Sequence, residues 1–107
     1  MKTPAQDFTS RMALQTAKHL GQLVRDARLA RRMTQRELAE RARSSEPTVR
    51  RLEKGGAAVA MGTWLSVMEH VGLLPLLNTL RDERTEALLA ERKVKRTRRS
   101  TPDDMEF

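Results

Sequence analysis

Apolar residues recur at helical spacing along most of this chain, in short stretches parted by polar or glycine-bearing breaks. Leu20, Leu23, Val24, Ala27 and Ala30 form one stripe that runs to Arg32. Leu38, Ala39 and Ala42 form a second, and Val49 with Leu52 a third. Trp64, Leu65, Val67, Met68 and Val71 form a fourth. The first helix should begin between Ser10 and Thr16. Gly21 inside it is a mild penalty rather than a break. Thr34 can cap the second helix, with Glu37 three residues later closing a capping box. Arg43, Ser44 and Ser45 make a brief polar turn, and Gly55 stops the third helix. Thr63 is expected to cap a fourth helix, Thr63 to Val71, that Gly72 ends.

Leu73, Leu74, Leu76, Leu77 and Leu80 crowd around Pro75. Periodicity alone does not separate a short helix from a short strand there. The leucine content and the lack of β-branched residues favour a helix. So dense an apolar run beside a small core reads as a self-association surface. From Asp82 to Val94 the pattern is helical again, with a thin strip of Ala87, Leu88 and Ala90. That helix is expected to form fully only when docked. The chain therefore divides into a flexible arm (1–12), a helical domain (13–80), a C-terminal helix (81–94) and a disordered tail (95–107).

Composition narrows the classes. At 107 residues there is one domain with tails, and no run of 18 apolar residues exists to span a membrane. Met1 to Ser10 is polar apart from Phe8 and does not look like a signal segment. There is no cysteine, and the two histidines, His19 and His70, lie far apart, so no metal or other cofactor is expected. A cytoplasmic protein is expected. Aromatics are 3% of the chain, so the core must be aliphatic and small, for which dimerisation is the usual remedy. The net charge is +7, and Ala17 to Gly55 holds 11 basic and 5 acidic residues, a surplus of 6. A basic surplus on that stretch points to a polyanionic partner.

Two short helices joined by a tight turn, the second rich in arginine, read as a helix-turn-helix. The residues carry a resemblance as well. Thr34-Gln35, Leu38-Ala39, Ser45 through Val49 and Leu52-Glu53-Lys54-Gly55 resemble the Cro/C1-type (Xre) repressors, over Leu20 to Leu73. The resemblance implies an all-α, lambda-repressor-like five-helix domain, here followed by a C-terminal helix and tail. It also implies that Arg28 pairs with Glu53 and ties the first helix to the third; the plainer reading is two surface charges. Two positions depart from the pattern. Arg43 and Ser44 stand where a glycine and an aliphatic residue are usual, so a positive φ at Arg43 would be strained. Pro47 replaces a position often used for base reading.

In such a unit the second helix crosses the DNA backbone and the third enters the major groove. Gln35, Arg36, Arg50, Lys54 and Ser45 are the expected phosphate contacts. Arg51, Thr48, Glu46 and Pro47 are the expected base-reading set. The resemblance ranks Arg51 first, since it stands where the family's late base-reading residue lies, and an arginine can grip guanine O6 and N7 in a fork. Glu46 equally suits the first turn of its helix. Trp64, Leu73, Leu74, Leu76, Leu77 and Leu80 are the expected dimer interface, with Trp64 open between core and interface. The tail has two halves. Arg92 to Arg99 holds 6 basic residues that would meet phosphates or only water. Ser100 to Phe107 is acidic, with Met105 and Phe107 as a docking motif or a frayed end.

MGTWLSVMEHVGLLPLLNTL, followed by an arginine-rich tail, is similar to HipB-like antitoxins. That resemblance implies a homodimer on palindromic double-stranded operator DNA that represses its own operon. It also implies a HipA-like kinase toxin as partner, with a separate small N-terminal toxin subunit in some operons. The rivals are a stand-alone phage-type or host regulator, and a coactivator-like bridge between proteins. There is no Gly-rich phosphate loop and no nucleophile–base pairing, so an enzyme is not expected.

Overall fold

The computed structural model describes residues 9–99 of the chain. Among them the secondary structure is entirely helical: α1 (Arg11–Ala30), α2 (Gln35–Arg41), α3 (Glu46–Glu53), α4 (Met61–His70), α5 (Leu74–Leu77) and α6 (Glu83–Arg99). Four starts are set by side-chain caps, the fourth being Asp82, which accepts from the Thr85 N–H ahead of α6. Ser10 Oγ accepts from the Ala13 N–H at 3.1 Å, so α1 starts at Arg11, within the stretch assigned above to the arm. Thr34 and Glu37 form the reciprocal capping box, at 3.0 and 3.3 Å. Ser45 Oγ accepts from the Thr48 N–H at 3.2 Å, and Pro47 sits in the first turn of α3, where its missing N–H costs nothing.

α4 departs from the sequence expectation. It starts at Met61 after Ala60, and no side chain caps it. Thr63 lies inside its first turn, its N–H given to Ala60 O at 3.1 Å. The start is fixed from within instead. Trp64 Nε1 donates to Gly56 O at 3.1 Å, and Trp64 packs against the core.

Four helices end on a residue with positive φ: Arg32 (54°), Arg43 (53°), Gly55 (92°) and Gly72 (78°). At the ends of α1, α2 and α4 the Schellman pair of bonds closes the helix. For α2, Ser44 N–H reaches Ala39 O at 2.8 Å and Arg43 N–H reaches Glu40 O at 3.3 Å. Two of these left-handed positions are filled by glycine and two by arginine, which pays a steric cost glycine avoids. Gly55 has a second constraint. A Cβ there would lie 2.8 Å from Lys18 Cα, so α1 passes against the end of α3.

The core is Val24, Met33, Leu38, Ala39, Ala42, Val49, Leu52, Val67, Met68 and Val71. α1 meets it along Gly21, Val24 and Arg28, so Leu23 and Ala30, expected on the inner stripe, face outward. Gly21 is the contact point with α3. An added Cβ would lie 2.5 Å from Leu52 O and 2.7 Å from Glu53 O. A glycine that reads as a mild helix penalty is thus what lets two helix backbones touch.

The leucine-rich run is a helix, α5. Leu73 and Leu77 pack against the core, while Leu76 (61%) and Leu80 (76%) remain exposed. α6 differs from the sequence reading in extent: it continues past Val94 through the basic block to Arg99, and every described residue from Arg81 to Thr97 is exposed. Nothing in that stretch breaks a helix. No proline or glycine occurs between Arg81 and Arg99, and Lys95 pairs with Glu91 one turn back at 3.4 Å.

Candidate nucleic-acid interface

The outward face of α3 is held in place by a buried polar clamp. Val49 and Leu52 are fully buried beneath it, each worth about 1.5–3 kcal/mol of apolar burial. Glu53, at the end of the helix, takes Arg28 in a two-pronged pair: Nε to Oε2 at 2.6 Å and Nη2 to Oε1 at 3.0 Å. The two side chains are 8% and 3% exposed. The third arm, Nη1, donates to Met33 O at 2.8 Å, in the loop after α1. Gln35 Nε2 completes the set, donating to Glu53 Oε1 at 3.0 Å. One carboxylate therefore ties together α1, α3 and the first residue of α2. Truncating Arg28 or Glu53 would strand the other's buried charge, at a cost of about 3–5 kcal/mol.

Gln35 therefore has a structural partner as well: its amide nitrogen donates inward to Glu53 from the first residue of α2, and the half-buried residue still borders the open groove beside α3. The other expected contact residues stand on the surface. Pro47, Arg50, Arg51 and Lys54 are exposed, and Glu46 and Thr48 are half-buried. Along one line of the helix, Ser45 Oγ and Thr48 Oγ1 share a hydrogen bond at 2.7 Å, and Arg51 Nη2 donates to Thr48 Oγ1 at 3.1 Å. Thr48 so steadies Arg51 along the helix with most of its guanidinium donors open to solvent. Arg50 lies 3.5 Å from Glu46, and Arg36 lies 3.5 Å from Glu40 on α2; both are exposed pairs one helical turn apart. Such pairs are weak and yield readily to a phosphate.

Residues of α1 that the sequence reading did not include border the same surface. Lys18, Gln22 and Arg25 line an open groove of about 490 Å³ with Gln35, Arg50, Glu53 and Lys54. Four cations from two helices border one concavity, which suits a phosphate of a polyanion. The signal was present in the sequence. Residues 18, 22 and 25 follow one helical line beside Gly21, the point where α1 touches α3.

Other expected residues lie elsewhere. Trp64, Leu73 and Leu77 are turned toward the core, and Leu74 is half-buried. Leu76 and Leu80 remain on the surface. Leu80 lines an apolar groove of about 610 Å³ with Met12, Met61, Trp64 and Leu65. Met105 and Phe107 fall outside the described residues. No group of acidic, histidine or cysteine side chains among the described residues is placed to hold a metal. His70 Nδ1 lies 2.7 Å from Ser66 O, within its own helix. No described helix is long and apolar enough to cross a membrane.

A sequence model described as a helix-turn-helix domain matches residues 19–87. No curated protein and no solved structure gave a significant match.

Proposed function

This chain belongs to the helix-turn-helix domain family, a DNA-binding regulator by that membership, and we propose on that footing that it is a sequence-specific repressor. The observation that carries this reading is α3: a rigid helix pinned by the Arg28–Glu53–Gln35 clamp, its exposed face rich in arginine. Arg51 reads a base in the major groove. Arg50, Lys54, Arg36, Ser45 and the α1 residues Lys18 and Arg25 hold phosphates on either side. Thr48 and Glu46 sit within reach of the same base edges, and Pro47 supplies an apolar contact.

One such helix reads too few base pairs to select a site. The protein therefore acts as a homodimer on a roughly palindromic operator, with half-sites about one turn apart. Exposed Leu76 and Leu80 together with Met12 (77%) and Met61 (72%) favour a dimer formed over the apolar groove. The likeness of residues 61–80 and the arginine-rich tail to HipB-like antitoxins favours autorepression within a toxin–antitoxin operon. The second protein partner is then a HipA-like kinase, alone or with a small N-terminal toxin subunit. A kinase-like reading frame beside the gene supports that; its absence leaves a stand-alone regulator.

The test is a binding titration on the DNA upstream of the protein's own gene. Arg51→Ala is expected to lose about 1–3 kcal/mol of discrimination at one base position per half-site. Unchanged preference for every base would refute the role of Arg51. Failure of the wild type to bind any duplex, at low or high salt, would favour a protein-bridging module instead.

A further inference from the structure

The last helix carries charge that the helix-turn-helix unit leaves unused. The acids of α6, Glu83, Glu86 and Glu91, all lie in its first half. From Arg92 to Arg99 there are 6 basic residues and no acidic one. At roughly 100° per residue, Lys93 and Lys95 point to nearly opposite sides, with Arg92 and Arg96 on the arc between them. The described residues of this half are exposed, so no other helix covers the fringe of cations.

So high a density of positive charge suits a polyanion. Eight helical residues rise about 12 Å, which places a positive charge about every 2 Å. Duplex DNA presents a negative charge about every 1.7 Å along its axis. A groove on an acidic protein would call for an apolar anchor among the cations. Here Leu88 and Leu89 lie in the acid-bearing half, and Val94 stands alone in the basic one.

We propose that the Arg92–Arg99 half of α6 is a second contact with the DNA backbone, gripping phosphates beside the operator without reading bases. This rests on the DNA-binding reading given above. The short linker from α5 to Glu83 keeps the helix at high effective concentration once α3 has docked, so it raises affinity for any sequence.

The experiment uses the full chain with Arg92→Gln, Lys93→Gln, Lys95→Gln and Arg96→Gln combined. Glutamine keeps helix propensity, and the sites are remote from the core. Affinity is measured from 50 to 300 mM salt on the upstream duplex and on a random duplex of equal length. The slope of log K against log salt is expected to flatten by about 2–4 per protomer, near 0.9 for each lost phosphate contact. Affinity falls by the same factor on both duplexes, so their ratio holds. An unchanged slope overturns the proposal, including when circular dichroism shows that only helicity fell or when the variant loses binding to phosphatidylserine vesicles instead. A wild type with no salt-dependent DNA binding would sink the repressor reading itself, which is a different result.

Discussion

Arg28 is the residue on which the reading surface most depends. Its three donors hold Glu53 and Met33 O, and through Glu53 they fix the end of α3. Arg28→Ala should lower stability by about 3–5 kcal/mol in urea unfolding, because Glu53 would remain buried and unpaired. Arg36→Ala removes a pair whose side chains are 78% and 69% exposed, and should cost less than about 0.5 kcal/mol. Similar losses for the two would contradict the clamp. The sequence held this pair only through a family resemblance, since 25 residues separate its members and no local pattern joins them. The bond from Gln35 to Glu53 was not foreseen for the same reason: an amide at a helix start suits a phosphate or a neighbouring carboxylate equally well, and the carboxylate comes within reach only when three helices pack. At Arg43 the strain foreseen from the turn is present, at φ 53°, and Arg32 repeats it at φ 54°. Arg43→Gly should stabilise the fold by about 1 kcal/mol: relief of the left-handed penalty outweighs the added freedom of the unfolded chain. A loss of stability would show that the arginine side chain has a structural task there.

At the scale of elements, the starts and stops were the most readable features. Thr34 with Glu37, Gly55 and Gly72 act where short-range chemistry places them, because capping is settled within four residues. α4 escaped that logic because a tryptophan bonded to Gly56 O, not a cap, sets its first turn. α6 ran longer than expected because the basic block was read as charge alone, although its residues are good helix formers. Its first turn offers a pH test. Asp82 accepts from Thr85 Oγ1 at 2.6 Å and from the Thr85 N–H at 3.0 Å, and these bonds lower its carboxyl below its ordinary value of 3.8. A carboxyl whose folded value is depressed stabilises the folded form above its unfolded value and stops doing so as pH falls through the folded one. Helicity at 222 nm should therefore hold from neutral pH to about 4 and decline below it. Asp82→Ala should start lower and lose that part of the decline. Parallel curves for the two proteins would rule out the cap.

For the whole molecule, the extents of 61 × 38 × 22 Å describe a small helical body with a projecting helix. Each feature outside the core has a separate task in this account: α3 reads, the α1–α3 groove and α6 hold phosphates, and the face around Leu76 and Leu80 meets a second copy. The division between fold and reach was visible in the sequence as a surplus of 6 positive charges on the helix-turn-helix stretch. The α1 share of that surface was not, because its cations converge on α3 only once Gly21 lets the helices close. The most direct test is a titration of 15N-labelled protein with the duplex from upstream of its gene, followed amide by amide. The account predicts the largest shifts at residues 45–54, with smaller ones at 18, 25, 35–36 and 92–96. Shifts confined to α4 and α5, with α3 unmoved, would contradict it.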